Sequence, residues 1–161
     1  MHASQASATA SGPPLWLATW CGTGLLPWAP GSWASLSALP CAWLLMLAGG
    51  PWLLLAATLI VFVAGIWAAE RYMAAVGIHD PTAIVVDEIA GQWLTLAIAP
   101  LDPLAYAIGF FLFRVFDVLK PWPVSWLDRR VGGGFGVMID DVGAALYAGG
   151  ALWLIDLWLL P

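Results

Sequence analysis

Charge is what this sequence has least of. Of 161 residues only 9% are Asp, Glu, Lys or Arg, against roughly 25% in an ordinary soluble domain, and none of these four occurs before Glu70. Basic residues are scarcer still: five Lys and Arg against ten Asp and Glu give a net charge of -5. That balance excludes a nucleic-acid binder, which needs a basic patch or stripe. Cysteine is almost absent. Cys21 and Cys41 are too far apart for a CxxC redox pair or a metal knuckle, so both read as small buried apolar residues. The first fourteen residues lack both a basic region and an apolar core, so they are not a secretory signal and are expected to form a short disordered tail.

What fills the chain instead is hydrophobic: 62% of residues, twelve of them Trp, with a mean hydropathy of +0.89. A soluble globule of this size would have to expose apolar patches that soluble monomers rarely tolerate. The expected fold is therefore all-α, a polytopic membrane helix bundle of about four to five transmembrane helices, with residues 15–161 as one membrane-embedded domain. Pro51 to Ala69 is an uninterrupted apolar run long enough to cross a bilayer. Leu36 to Ala48 is shorter, carries Pro40, and is closed by Gly49 and Gly50, so a kinked or tilted span, or a re-entrant segment, is expected. Asp80 and Pro81 have the order of an N-cap followed by a first-turn proline, predicting a third helix that runs to Ala99. Leu104 to Phe116 and Val142 to Leu160 complete the count.

Cytoplasmic loops are enriched in Lys and Arg. Arg71, Arg114, Lys120, Arg129 and Arg130 follow the second and fourth spans, which places both of those loops in the cytoplasm. Thirteen of the fifteen charged residues then gather at that face; Asp102 and Asp156 are the exceptions.

Two segments echo one another there. Asp87-Glu88 and Asp140-Asp141 are each an adjacent acid pair between apolar residues, followed by small ones. Acids near a helix N-terminus complement its dipole at about 0.3 to 1 kcal/mol each, whereas an acid deep in a span costs on the order of 3 kcal/mol. With the helix starting at Pro81, the first pair would lie about 9 Å along it, which calls for a nearby cation. Carboxylates without His or Cys ligands suit Mg²⁺.

Arg114, Asp117 and Lys120 follow at three-residue spacing, so Arg114 and Asp117 share a helix face. They lead into Pro121-Trp122-Pro123 and a glycine run beginning at Gly132. Two readings fit this stretch: a positive-inside anchor with interfacial Trp, or a phosphate clamp of Arg and Lys with glycines that admit close backbone approach. Thr23 and Gly24, in an uncharged Gly/Pro/Trp stretch, are further candidates for phosphate contact through backbone N–H groups. His79, in the loop before the third helix, has the side chain for proton transfer near neutral pH.

Three stretches, GTGLLPWAPGSWAS from Gly22, GIHDPTAIVVDEIAGQWLTL from Gly77, and FRVFDVLKPWPVSWLDRRVGGGFGVMIDDVGA from Phe113, together resemble the phosphatidylglycerophosphatase A family. Ala34 stands where glycine is expected in the family. The resemblance implies a Mg²⁺-dependent lipid phosphatase of the bacterial cytoplasmic membrane that converts phosphatidylglycerol phosphate to phosphatidylglycerol, with its site facing the cytoplasm. On that reading Asp87, Glu88, Asp140 and Asp141 hold Mg²⁺, one of them or Asp117 accepts the proton of the attacking water, and Arg114, Lys120 and Arg130 bind the phosphate. Asp80 and His79 are candidates for proton transfer to the leaving oxygen. The partner implied is a membrane phospholipid, with no nucleic acid and no obligate protein partner.

The alternative is a cation- or proton-coupled small transporter, which would hold its acids near the midplane between repeated helices. A CDP-alcohol phosphatidyltransferase would need a D-x-x-D-G…A-R…G…D-x-x-x-D pattern that the chain lacks.

Overall fold

A computed structural model describes residues 12–79 and 81–159, and among them every regular element is helical. The helices are α1 (Pro13–Ala18), α2 (Pro30–Val76), α3 (Val86–Leu96), α4 (Pro103–Leu119), α5 (Val124–Arg130) and α6 (Gly133–Leu159), with a short 3₁₀ turn at Thr23–Leu25. Pro13 and Pro14, assigned to the N-terminal tail by sequence, open α1 instead; the rest of that tail, residues 1–11, lies outside the described residues.

Helix α2 is two helices joined at one residue. Gly50 has φ 67° and ψ -164°, backbone that glycine adopts without penalty. Gly31, in the first half, lies against the Glu88 side chain, and Gly65, in the second, lies against Val86 and Met138. A straight helix would hold residues 31 and 65 about 50 Å apart, so the two halves fold back as a hairpin. The turn thus falls at the Gly49-Gly50 pair expected to close the first apolar segment, while no break occurs at Pro40, which is carried within the helical first half.

The hairpin packs through small residues. Ala34, Ala38 and Ala42, one helical turn apart, are buried with Leu54, Ile89, Trp93 and Leu96. The close approach lets the Trp93 indole N–H donate to the Ala38 carbonyl at 3.0 Å, satisfying a polar group that burial would otherwise penalise. A second cluster joins Ala68, Ala69 and Tyr72 of α2 to Val86, Ala90 and Met138.

Large apolar side chains also point outward, among them Leu44, Leu59, Ile60, Val63, Phe111, Val118 and Leu146. Two helices, α2 and α6, are long and apolar enough to cross a membrane. With so much apolar surface facing out, the chain reads as a membrane protein. Cys21 is exposed rather than buried, and Cys41 is half-buried.

Two helix starts differ from expectation. The third helix begins at Val86, not Pro81, because residues 81–85 form a turn in which the Ile84 N–H bonds the Pro81 carbonyl and the Val85 N–H bonds the Ala18 carbonyl. At eleven residues, α3 spans about 16 Å, short of the roughly 30 Å hydrocarbon core. The last helix begins at Gly133, nine residues before the expected start, so the glycine run is its first turn.

Asp102 explains one of the two acids set apart from the others by sequence. It is the N-cap of α4, its Oδ1 accepting from the Leu104 and Ala105 N–H groups at 2.9 Å each.

Candidate active site

The late start of α3 moves Asp87 and Glu88 into its first turn, where the free N–H groups and the dipole favour negative charge. Asp141 reaches the same point from α6. Carboxylate oxygens of Asp87, Glu88 and Asp141 lie within 4.8 Å of one another.

Two glycines make this convergence possible. A Cβ on Gly31 would fall on Glu88 Oε1, and one on Gly91 would overlap the Phe113 ring and crowd the Asp141 carbonyl. Glycine at these positions lets α2 press against the Glu88 carboxylate and α6 approach the backbone of α3.

Each acid keeps a buried oxygen with no hydrogen-bond partner: Asp87 Oδ1, Glu88 Oε2 and Asp141 Oδ2. Buried polar atoms are normally paired, and three clustered carboxylates that each keep an unpaired oxygen fit a hard divalent cation with oxygen ligands. The donor set contains no His or Cys, which argues against the softer transition metals.

Asp140 turns away from this cluster. Its Oδ2 accepts from the Lys120 ammonium and its Oδ1 from the Asp141 N–H. Of the four acids grouped by sequence as metal ligands, the structure brings together three and gives the fourth to Lys120.

Two cations face the acids. Arg114 Nη1 lies 2.7 Å from Asp117 Oδ2, one helical turn along α4, and 3.7 Å from Glu88 Oε1. It also approaches the Ser35 hydroxyl at 3.4 Å, and that hydroxyl is fixed by donating to the Gly31 carbonyl. Lys120 ends α4 with φ 42° and bonds both Asp140 and Asp128. Burial alone would lower the Lys120 pKa, but hydrogen bonds and attraction from Asp128 and Asp140 outweigh it and hold the ammonium above its ordinary value. The same contact holds the Asp128 carboxyl below its ordinary value.

These groups line one cavity of about 470 Å³, which also takes in His79, Thr82, the Ala29–Ser32 start of α2, and Gly132, Gly133 and Gly136. Asp117 and His79 both line the cavity, whereas Asp80 lies outside the described residues. Three candidates do not line the cavity. Thr23 donates its hydroxyl to the Trp20 carbonyl. Gly24 is buried against the Ala83 carbonyl, where a Cβ would not fit, so it supports the turn before α3. Arg130 is exposed in the last turn of α5.

The sequence marks Asp128 only as one of the acids gathered at this face, and Ala29–Ser32 only as part of the uncharged Gly/Pro/Trp stretch; both line the cavity.

The helical fold places an acid-lined cavity with an Arg and a Lys at one end of the bundle, the make-up of a site that can pair a cation with an anionic group. The family model for phosphatidylglycerophosphatase A matches residues 16–156, so the chain belongs to the phosphatidylglycerophosphatase A family. It is 38% identical over 141 residues to phosphatidylglycerophosphatase A of Escherichia coli strain K12, covering 86% of this chain and 81% of that protein. It is also 38% identical over 145 residues to the Haemophilus influenzae protein of the same name, covering 89% of each. A Bacteroides thetaiotaomicron protein named "Putative phosphatidylinositol-3-phosphatase" is 36% identical over 142 residues, covering 84% of this chain and 88% of that protein. No solved structure matches.

Proposed function

We propose that this protein hydrolyses the terminal phosphomonoester of phosphatidylglycerol phosphate, giving phosphatidylglycerol and inorganic phosphate in phospholipid biosynthesis, with Mg²⁺ as cofactor. The observation that carries the reading is the set of three buried, unpartnered carboxylate oxygens on Asp87, Glu88 and Asp141 beside two cations. Six acids and two bases line the cavity, so a dianionic phosphate is repelled unless further positive charge joins it.

Asp87, Glu88 and Asp141 would hold the Mg²⁺. When bound, the ion supplies Lewis acidity to the phosphoryl oxygens and lowers the pKa of water.

The remaining roles fall to the chain's own residues. Arg114 offers planar donors to the phosphate, and Asp117 and Ser35 hold its guanidinium. Lys120 supplies a point charge at the other side of the cavity. Asp117 is the proton acceptor for the attacking water, and His79, exposed at the rim, donates to the leaving glycerol oxygen.

Membrane placement follows from exposed tryptophans. Trp28 and Trp122 stand beside the site, and Trp52 adjoins the Gly50 turn. The first half of α2 separates these levels by about 30 Å, the thickness of a hydrocarbon core, and Trp favours both interfaces. We place the site at the cytoplasmic face of the bacterial inner membrane, with α2, α4 and α6 supplying multiple crossings, because all five basic residues belong to that end. The transport alternative gains nothing from the acids' position, since they lie at this end rather than at mid-membrane.

The Bacteroides relative's name introduces a second lipid phosphomonoester, so the test runs both substrates. Purified protein in detergent should release phosphate from phosphatidylglycerol phosphate with Mg²⁺, at least about tenfold faster than from phosphatidylinositol 3-phosphate, and stop in excess EDTA. Full turnover by metal-free protein would overturn the Mg²⁺ assignment, and a preference for the inositol lipid would overturn the substrate.

A further inference from the structure

Lys120 is shared by two unequal carboxylates. Asp140 is anchored: it sits within α6, its side chain is only 9% exposed, and its second oxygen is tied to the Asp141 N–H. Asp128 is not. Its side chain is 35% exposed, and it rides on the seven-residue helix α5, which connects through Pro121-Trp122-Pro123 on one side and Val131-Gly132 on the other.

An ammonium flanked by two carboxylates is the centre of a locally net-negative group, and a phosphate dianion approaching it meets repulsion. One carboxylate must yield for the phosphate to gain the full charge of Lys120. The half-exposed pair is the cheap one to open, since exposed ion pairs contribute little. Both Lys120 and Asp128 line the cavity, so the exchange takes place where the phosphate would bind.

We propose that Asp128 is an affinity-setting residue that competes with the phosphate group for Lys120, weakening the hold on substrate and product alike and so favouring release of inorganic phosphate. The inference rests on the assignment of Lys120 to phosphate made above, and it gives Asp128 a role separate from metal binding and proton transfer.

The test uses the full chain with Mg²⁺, measuring KM for phosphatidylglycerol phosphate and the inhibition constant for inorganic phosphate. Asp128→Asn and Asp128→Ser should each lower both constants by about two- to fivefold, the range expected for an exposed ion pair. Both effects should vanish in a Lys120→Met background, as a double-mutant cycle requires of a direct coupling. Glu70→Gln removes an exposed acid that does not line the cavity and should leave both constants in place.

A rise in both constants would mean that Asp128 positions Lys120 instead of competing for it, and would overturn the proposal. So would unchanged constants, a fall that persists without Lys120, or a change in KM alone. If Lys120→Met by itself leaves phosphate inhibition and KM untouched, the assignment of Lys120 to phosphate fails first. If Lys120→Met weakens both but the Asp128 variants change neither, the competition alone fails.

Discussion

The acid pairs Asp87-Glu88 and Asp140-Asp141 look interchangeable in sequence, yet the fold uses them differently. The first opens α3 and contributes both carboxylates to the cluster. The second lies a full two turns into α6 and is split: Asp141 joins the cluster, while Asp140 is held by Lys120 and the Asp141 N–H. Successive helical residues point about 100° apart, so an adjacent pair serves one centre only where the helix presents an end or an edge to it. The pair at a helix start meets that condition and the pair inside a longer helix does not.

The largest expected effects come from breaking the cluster. Asp87→Asn and Asp141→Asn should each lower kcat by at least 10²-fold, about 2.7 kcal/mol of transition-state stabilisation, while the protein still inserts and purifies. Mn²⁺ binding followed by electron paramagnetic resonance should weaken in both. Near-normal rates with normal Mn²⁺ binding would show that the two pairs do not differ as the geometry indicates.

Asp140→Asn probes the other half of the split. Its oxygens serve Lys120 and a backbone N–H, so Mn²⁺ binding should persist and the loss of kcat/KM should be about tenfold, the order expected from removing one charged hydrogen bond. A loss as large as that of Asp141→Asn, accompanied by lost Mn²⁺ binding, would return Asp140 to the metal.

How much of this was legible in advance depended on whether the deciding contact was local. The apolar runs, the pairing of Arg114 with Asp117 at i,i+3 and the gathering of charge could be read from spacing. The start of α3 could not, because Asp80-Pro81 carries a helix-start signal that is overridden when the Val85 N–H bonds Ala18, 67 positions earlier in the chain. Gly24 likewise resembled part of a phosphate loop, but its small size serves packing against Ala83. The split of the second acid pair depends on Lys120, twenty residues away, reaching into α6, and no periodicity encodes that.

The Lys120–Asp128 contact makes a smaller prediction, about pH. The Asp128 pKa is lowered in the folded protein, so its contribution to stability is present above the unfolded carboxyl value of about 3.9 and is lost as pH falls through the lower folded value. The Lys120 pKa is raised, so its contribution is complete below about 10.4 and is lost as pH rises through the higher folded value. Between about pH 7 and 9 the contact should therefore be fully formed, and the thermal midpoints of the wild type and Asp128→Asn should run parallel across that window. Diverging curves near about pH 8 would mean that one partner titrates there.

The smallest effect on activity is expected from an acid that does structural work. Asp102 accepts two backbone N–H bonds at the start of α4, whereas α3 has no side-chain cap bond, and the cluster oxygens Asp87 Oδ1 and Glu88 Oε2 lack hydrogen-bond partners. The helix start at Asp102 is remote from the cavity, as Tyr106 packs on Trp43 toward the Gly50 turn with ring centroids 4.9 Å apart. Asp102→Ala should cost about 1 kcal/mol of stability, typical for loss of an N-cap, and lower the thermal midpoint in detergent by a few degrees. Asp102→Ser or Asp102→Asn, which can still cap, should recover most of that loss. Neither should change kcat or Mn²⁺ affinity. A cap variant that lost activity while remaining folded would mean that an acid bonded to a helix start can serve catalysis from a distance, and the distinction drawn here between capping acids and cluster acids would fail.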